Sequence, residues 1–280
     1  MKVFKSRTDL QKELEQLKFL NKTIGFVPTM GALHSGHIKL ISESKKQNFA
    51  TVSSIFVNPL QFNNNGDFVN YPVMHDKDIE KLQESGCDYV FIPDVKEIYP
   101  QKDERTFDLD GLDLHMEGKF RPGHFEGVVK VVSILFDIVK PNKAYFGEKD
   151  FQQLAVISFA TKKYMPELSI EIVPVPTVRE TDGLAMSSRN LRLTQIQRQH
   201  APIIFEALCE IKNMKDKPVS FIRKYVFDKI SQANELKPEY LEIVNPFDLK
   251  PVDYLKPDEK YRACIAVFAG EVRLIDNIEI

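Results

Sequence analysis

Short apolar runs alternate with amphipathic segments along the first 175 residues of the chain. The apolar runs have the length and composition of buried strands, and they cover residues 23–27, 50–57, 88–92, 143–146 and 169–175. Between them apolar residues recur every three or four positions, which predicts helices over residues 8–21, 34–47, 76–85, 125–139 and 150–164. Because strands that alternate with helices form a mostly parallel sheet covered on both faces, the pattern predicts an α/β fold with a Rossmann-like sheet.

Individual residues set the predicted ends of these elements. Thr8 followed by Gln11 has the spacing of a capping box and predicts the start of the first helix. Pro28 is predicted to end the first strand, since proline lacks a backbone N–H. Residues 58–72, with two prolines and three successive asparagines, are predicted to form a polar loop. Ligands are expected at the edge where such loops follow the strands.

The pattern changes beyond residue 194. Two helical segments, residues 194–214 and 219–233, are followed by strand patterns over residues 240–244, 262–268 and 272–275. Helices followed by strands predict a separate α+β unit. The sequence therefore predicts an N-terminal domain over residues 1–176 and a smaller C-terminal domain over residues 177–280.

Composition narrows the classes of protein that fit. The 280 residues are 43% hydrophobic and 28% charged with a formal net charge of −2, which excludes a strong electrostatic footprint for nucleic acid or an anionic membrane. Cys87, Cys209 and Cys264 lack a C-x-x-C spacing and suit reduced thiols. We expect neither a signal peptide nor a membrane span, and hence a cytoplasmic protein without nucleic-acid or membrane partners.

The stretch over residues 25–37 carries the most informative polar positions. A strand-like run passes through a glycine-containing turn into a helical segment that bears His34 and His37. Residues three apart share one face of the first helical turn, where unpaired N–H groups and the helix dipole favour an anion. Gly36 between them lets a ligand approach the backbone closely. The pair predicts a phosphate site, with a surface pair or a metal pair as alternatives.

Three further polar clusters lie near predicted strand ends. Lys149 suits phosphate oxygens and Gln153 a polar substrate, although a charged helix cap would use the same residues. Residues 182–190 bring two hydroxyls and Arg189, which suit a triphosphate or an ordinary interdomain linker. Gln61 beside Phe62 suits a small polar molecule or a plain turn. Together, clusters at corresponding edges of one sheet favour a single nucleotide-dependent site.

Other polar residues give weaker indications of a functional role. Arg121, His124 and Glu126 precede or begin the strongest predicted helix and suit either the site or a subunit contact. For Asp78, contact with a magnesium ion is an alternative to the default role given next. Structural or solvated surface roles are predicted by default for His115, His200, Asp76 and Asp78.

Five segments together resemble one enzyme family. In chain order they are Pro28-Thr-Met-Gly-Ala-Leu-His-Ser-Gly-His37, Phe56-Val-Asn-Pro-Leu-Gln-Phe62, Arg121-Pro-Gly-His-Phe125, Phe146-Gly-Glu-Lys-Asp150 with Gln153, and Arg179-Glu with Met186-Ser-Ser-Arg-Asn190. The H-x-G-H element alone indicates a wider nucleotidyltransferase superfamily. The combination resembles the pantothenate synthetase family, ATP-dependent ligases that join pantoate to β-alanine. Only the segment over residues 72–78 is less typical of that family.

The resemblance implies a reaction in two halves. The pantoate carboxylate attacks the α-phosphorus of ATP to give pantoyl adenylate and pyrophosphate, and the amine of β-alanine then expels AMP. The catalytic residues that it implies are His37, as the proton donor, with His34, Lys149 and Arg189. The ATP-binding residues that it implies are Met30, Gly31, Ala32, Leu33, His34, Ser35, Gly36, His37, Gly147, Glu148, Lys149, Asp150, Val178, Met186, Ser187, Ser188 and Arg189. The pantoate- and β-alanine-binding residues that it implies are Met30, Gln61 and Gln153.

The resemblance also implies a metal, an assembly and a moving part. Mg²⁺ is expected to arrive with ATP, held mainly by phosphates and water rather than by a cage of protein ligands. A homodimer is expected, with the C-terminal domain as a lid that keeps water from the mixed anhydride. Two alternatives remain: another small-molecule nucleotidyltransferase, which needs an extra basic pocket for a phosphorylated acceptor, and a nucleotide-binding protein without catalysis.

Overall fold

The computed structural model of the chain describes residues 1–63 and 65–280. The strands of its first part are β1 (Lys2–Phe4), β2 (Ile24–Thr29), β3 (Ala50–Ile55), β4 (Tyr89–Phe91), β5 (Lys143–Gly147) and β6 (Glu171–Val175). The helices there are α1 (Arg7–Phe19), α2 (Ser35–Gln47), α3 (Asn65–Val69), α4 (His75–Glu84), α5 (Val95–Ile98), α6 (Met116–Phe120), α7 (His124–Val139) and α8 (Phe151–Tyr164). The remaining part contains α9 (Gln195–His200), α10 (Ile203–Ile211), α11 (Val219–Ile230), β7 (Leu236–Val244), β8 (Arg262–Ala269) and β9 (Val272–Glu279).

Strands β1 to β6 form one parallel sheet in the order β1-β4-β3-β2-β5-β6, which confirms the predicted α/β fold. Strand β2 pairs with β3 on one side and with β5 on the other. The strand order reverses there, because β3 and β4 extend the sheet in one direction and β5 and β6 in the other. Such a reversal opens a crevice beyond the carboxyl ends of the two strands, where α/β proteins bind ligands.

Helices cover both faces of this sheet, as the pattern predicted. Successive side chains of a strand point to opposite faces. In β2 the ring of Phe26 packs edge-on against Phe136 of α7, with the centroids 6.2 Å apart. The next residue, Val27, belongs instead to an apolar cluster with Ile41 of α2 and Leu82 of α4. The two neighbours therefore anchor helices on opposite sides of the strand.

Pro28 does not end β2, which continues to Thr29, so that prediction is wrong. In a parallel strand the polar groups of alternate residues point to alternate neighbours. The carbonyl of Thr29 accepts a bond from Phe56 on the β3 side, and that of Ile24 accepts one from Asn142 on the β5 side. Pro28 thus faces the β5 side, where the ladder has already ended at Phe26. Its missing N–H leaves no partner unsatisfied.

Three other boundaries differ from the predictions for local reasons. Helix α1 starts two residues earlier, because Ser6 rather than Thr8 is its N-cap and accepts the N–H of Asp9. The predicted helix over residues 194–214 is divided into α9 and α10 around Pro202, which cannot donate within a continuous helix. The predicted loop over residues 58–72 contains a short 3₁₀ turn, Pro59–Gln61, and α3; position 64 of that loop lies outside the described residues.

The chain divides into two compact units that are not continuous in sequence. The first contains Met1–Asp110, Arg121–Glu148 and Gln153–Pro176. The second contains Gly111–Phe120, Lys149–Gln152 and Thr177–Ile280. The division differs from the predicted domains 1–176 and 177–280 because two short excursions of the chain, Gly111–Phe120 and Lys149–Gln152, belong to the second unit. Contacts between residues far apart in sequence decide this membership, so no local pattern reports it.

The second unit is built on the antiparallel sheet β7-β8-β9. Helices α10 and α11 pack on it and share one apolar cluster with the strands, which includes Leu208, Ile222, Leu241 and Ile265. Burial of this cluster supplies the main stabilising free energy of the unit. In the described part of the chain, no helix combines the length and apolar character needed to cross a membrane.

Candidate active site

The two histidines at the start of α2 cap the helix for each other. His34 is the N-cap, and its Nδ1 accepts the N–H of Gly36 at 3.1 Å. His37 reaches back, and its Nδ1 accepts the N–H of His34 at 3.2 Å. The ring centroids are 4.1 Å apart. Because both Nδ1 atoms are acceptors, the neutral rings carry their protons on Nε2, and each ring presents a donor there.

This geometry changes how the site can bind an anion. The sequence suggested that unpaired backbone N–H groups of the first turn would hold a phosphate. The N–H groups of His34 and Gly36 are instead bonded to the imidazoles. The imidazole Nε2–H groups therefore replace these N–H groups as donors. An ordinary capping box only satisfies backbone groups, whereas here both capping side chains are imidazoles that also carry an Nε2–H.

Helix α4 holds the turn that leads into the histidines. The carboxylate of Asp78 accepts the N–H of Ala32 at 2.9 Å and the N–H of Leu33 at 2.7 Å. Lys81, one turn further, donates to the carbonyl of Leu33 at 2.6 Å. Asp78 is only 1% exposed, so the prediction of a solvated carboxylate is wrong for this residue. Two charge-assisted hydrogen bonds to adjacent amides fix the path of the turn.

The predicted ATP-binding residues before the histidines differ in what they can contact. Gly31 and Ala32 both have positive φ, 84° and 49°, so the turn is tightly wound. Ala32 and Leu33 are 2% exposed, and their N–H groups are bonded to Asp78. These residues shape the wall beneath the site, whereas Ser35 is exposed on the first turn of α2.

Gln61 and Met30, both implied in substrate binding, lie together at the ends of β2 and β3. The amide Nε2 of Gln61 contacts Met30 Sδ at 3.0 Å, and its Oε1 accepts from Asn58 Nδ2 at 3.1 Å. The Gln61 carbonyl accepts from His124 Nδ1 at 2.8 Å, which places the His124 proton on Nδ1. Arg121 donates to the same carbonyl at 3.4 Å. Hydrogen bonds to both the side chain and the backbone carbonyl of Gln61 therefore hold this turn in place.

The third predicted cluster is divided between the two units. Gly147 and Glu148 lie at the end of β5 in the first unit, beside the reversal of strand order. Gln153 also belongs to the first unit and lies in α8. Lys149 and Asp150 belong to the second unit. A Cβ built on Gly147 meets no atom within 4 Å, so this position leaves room for a ligand.

The segment predicted as a linker is a tight hairpin in the second unit. The N–H of Met186 donates to the carbonyl of Val178 at 3.0 Å, and Glu180 pairs with Leu184 around Gly183. Beyond it, Ser187 caps a 3₁₀ helix, Ser188–Arg192, by accepting the N–H of Arg189. The predicted adenosine residues Val178 and Met186 are therefore neighbours at the base of one hairpin.

Lys149 lies close to this hairpin within the second unit. A narrow cavity is lined by Lys149, Ser187, Asn190 and Asp276, among others. The carbonyl of Lys149 accepts from Asn277 Nδ2 at 2.9 Å. The structure thus brings a predicted cation and a predicted hydroxyl to one cavity.

In each unit, sequence reasoning missed the buried polar residues that hold predicted site segments in place. Asp78 and Leu82 are the buried residues of α4 and stand four apart, so a carboxylate on the apolar face was the available signal. Asp276 and Asn277 are two consecutive polar residues between apolar neighbours, Ile275 and Ile278, in β9. Among the described residues, no three histidine, cysteine, aspartate or glutamate side chains gather to hold a metal ion.

Comparison with known proteins agrees with this arrangement. The sequence profile of the pantoate–β-alanine ligase family matches residues 2–279. Pantothenate synthetases of Phocaeicola vulgatus and Bacteroides fragilis are 48% identical over 280 residues, which cover 100% of this chain and 99% of each relative.

Solved structures lead to the same family. Pantothenate synthetase from Thermus thermophilus is 38% identical, with a TM-score of 0.89 over 99% of both chains. Pantoate-beta-alanine ligase from Francisella tularensis, solved with beta-gamma ATP and beta-alanine, is 35% identical, with a TM-score of 0.82 over 99% of this chain and 97% of that one. The chain belongs to the pantoate–β-alanine ligase family.

Proposed function

We propose that this protein condenses (R)-pantoate with β-alanine at the expense of ATP, through pantoyl adenylate, and that its own residues act as follows. The observation that carries the assignment of residues is the mutual cap of His34 and His37 at the reversal of strand order. Family membership supports the reaction itself.

The first half of the reaction needs positive charge more than it needs a base. The pantoate carboxylate is already ionised at neutral pH. One of its oxygens attacks the α-phosphorus, the bond to the bridging oxygen breaks, and pyrophosphate leaves with the electron pair. Because negative charge accumulates on phosphate oxygens, fixed donors and cations lower the barrier. We assign this role to the Nε2–H groups of His34 and His37 and to Lys149 and Arg189, with Ser187 and Ser188 as hydrogen-bond donors.

His37 fits a hydrogen-bond donor better than a general acid. Its Nδ1 accepts the N–H of His34, which requires a lone pair on that nitrogen. An imidazolium would carry a proton there and would break the cap. We therefore propose that His37 stabilises the departing phosphate charge while it keeps its proton.

Amide side chains suit the acceptor substrate. Gln61 and Gln153 can donate to and accept from the hydroxyls of pantoate, and Met30 supplies an apolar wall beside Gln61. We place β-alanine near Gln61 and adenosine against Gly147, Val178 and Met186. Holding the amine and adenylate together contributes at best about 7–11 kcal/mol to the second half.

The remaining features of the proposal concern the metal, the assembly and the location. Mg²⁺ would be held by phosphate oxygens and water, since Asp78 is engaged by backbone amides. It would supply further neutralisation of the triphosphate. We also propose a homodimer in the cytoplasm, where the three free cysteines would stay reduced. Residues 177–280 would act as a lid.

Pyrophosphate release from ATP and magnesium tests the function. With pantoate alone, pyrophosphate should appear, and AMP with pantothenate should follow only after β-alanine is added. Release that requires a phosphorylated acceptor instead would identify another nucleotidyltransferase. ATP binding without any pyrophosphate would identify a nucleotide-binding protein without catalysis.

A further inference from the structure

Strand β9 carries two consecutive buried polar residues, Asp276 and Asn277. They are 5% and 4% exposed. Successive side chains of a strand point to opposite faces, so the two residues reach different parts of the second unit. Burying such groups is costly unless they are hydrogen-bonded, which makes their partners informative.

Asp276 binds the hairpin that carries the predicted nucleotide residues. Arg179 forms a bidentate ion pair with it, at 2.6 and 2.9 Å. The same guanidinium donates to the carbonyl of Gly183 at 3.0 Å and stacks 3.6 Å from the centroid of Phe205. Arg179 lies next to Val178 and forms an isolated antiparallel β-bridge with Ala185. The ion pair therefore fixes the hairpin from which residues 186–189 emerge.

Asn277 binds the other segment with a predicted phosphate contact. Its Nδ2 donates to the carbonyl of Lys149 at 2.9 Å. The Asn277 N–H donates to Asp276 Oδ1 at 2.7 Å, and Arg179 also reaches the Asn277 carbonyl at 3.4 Å. Two adjacent residues of β9 thus connect Lys149 on one side with Arg179 and its hairpin on the other.

We propose that Asp276 and Asn277 are positioning residues, which hold Lys149 and residues 187–189 in one fixed arrangement around the triphosphate. The inference rests on the proposed function, because it requires Lys149 to neutralise the leaving pyrophosphate. A cation stabilises developing charge only at a defined distance, and a displacement of about 1 Å can cost about a hundredfold in rate. Asn277 sets that distance through the backbone of Lys149 without touching ATP.

The first test separates the two half-reactions. Asn277→Asp keeps the size of the side chain but removes the donor to Lys149. We expect pantoate-dependent pyrophosphate release to fall about tenfold to a hundredfold. Conversion of supplied pantoyl adenylate and β-alanine to pantothenate should change less than about threefold, since no triphosphate takes part in it. Ile278→Val, the next position of β9, is the control and should leave both rates unchanged.

A double-mutant cycle provides the second test. If Asn277 acts through Lys149, Asn277→Asp should add little further loss in a Lys149→Ala background. Equal slowing of both half-reactions, or full additivity with Lys149→Ala, would overturn the inference and leave Asn277 a structural residue. Should the aspartate variant fail to fold, Asn277→Ser removes the same hydrogen bond without adding charge. Wild-type protein without pyrophosphate release would overturn the proposed function, whereas an active wild type with an equally active variant overturns this inference alone.

Discussion

The paired histidines join two tasks that most helix starts keep separate. A serine and a glutamate at these positions would satisfy the same backbone groups but present no ring donor. In His34 and His37 the Nδ1 atom of each ring closes the cap, which leaves the proton of each neutral ring on Nε2. The cap also orients the rings, so the donors need no reorganisation when a phosphate binds.

Replacing His37 separates capping from donation. Glutamine at this position can still accept the N–H of His34, but its flexible amide N–H is not held in place by a ring as the imidazole Nε2–H is. We expect His37→Gln to lower pantoate-dependent pyrophosphate release by about 10²–10³-fold. The melting temperature should stay close to that of the wild type, while His37→Ala should also lose about 1 kcal/mol of stability. Wild-type activity in the glutamine variant would contradict the assigned role.

Asp78 and Asp76 form a matched pair for a second test. Asp78 is buried and accepts two amide N–H groups, whereas Asp76, two residues earlier, is exposed. In Asp78→Asn one oxygen becomes an NH₂ that faces a backbone donor, which should cost about 1.5–3 kcal/mol. We expect a lower melting temperature and a higher KM for ATP, measured by pyrophosphate release. Asp76→Asn should change neither quantity. Equal effects of the two variants would contradict the role of Asp78 in holding the turn.

At the scale of elements, the sequence of α7 is constrained by the close approach of this helix to a neighbouring turn. Gly127 lies inside this helix, where alanine would be intrinsically more favourable. A Cβ at Gly127 would lie 2.3 Å from the carbonyl oxygen of Leu60, in the 3₁₀ turn that carries Gln61. The same turn is tied to α7 through Asn58, which donates to the carbonyl of Gly127 at 3.0 Å. The close approach of helix and turn places the Gln61 amide.

Gly127→Ala should therefore displace the turn although it improves helix propensity. We expect the KM for pantoate to rise by at least about tenfold, because the Gln61 side chain moves with its backbone. Ser133→Ala, on the same helix, is the control, since among the described residues the Ser133 hydroxyl donates within the helix, to the carbonyl of Lys130. An unchanged KM for pantoate in Gly127→Ala would show that Gln61 is not held by this contact.

At the scale of the whole molecule, the second unit holds both excursions of the chain. Glu117, in the first excursion, accepts two bonds from Arg273 of β9, at 2.7 and 2.8 Å, and one from Tyr240 at 2.8 Å. Gln152, in the second, accepts the Glu117 N–H at 2.8 Å. Burial and the nearby Glu117 carboxylate raise the pKa of Tyr240 well above its usual value, so the phenol stays a donor at neutral pH.

Breaking this network should destabilise the second unit. In Glu117→Gln the guanidinium of Arg273 loses its bidentate carboxylate in a mostly buried place. Because Glu239 still accepts from Arg273, at 2.6 and 2.9 Å, we expect the free energy of unfolding to fall by about 1.5–3 kcal/mol, measured by urea unfolding followed by circular dichroism. Glu104→Gln, at a surface pair with Lys102, should change it by less than about 1 kcal/mol. Similar small losses in both variants would contradict a stabilising role for the network.

Much of the first unit could be predicted from sequence. The periodicity correctly predicted the helices around residues 34–47 and 125–139, within one residue at their starts. Lys2–Phe4 and the four residues of α5 were missed, because such short elements are stabilised by pairing and packing rather than by their own pattern. The prediction that Pro28 ends β2 was wrong, because the effect of a missing N–H depends on which neighbouring strand that position faces.

The sequence by itself determined the alternation of strands and helices, the position of the histidine pair at a strand end, and the resemblance to one ligase family. These follow from neighbouring residues, since periodicity and motif spacing are local properties. Only the tertiary structure decided the strand order, the burial of Asp78 and the contact of Asn277 with Lys149. The hydrogen bond between Asp78 and Ala32 joins residues 46 positions apart, and the one between Asn277 and Lys149 joins residues 128 positions apart. The packing of distant segments therefore decides which residues become partners.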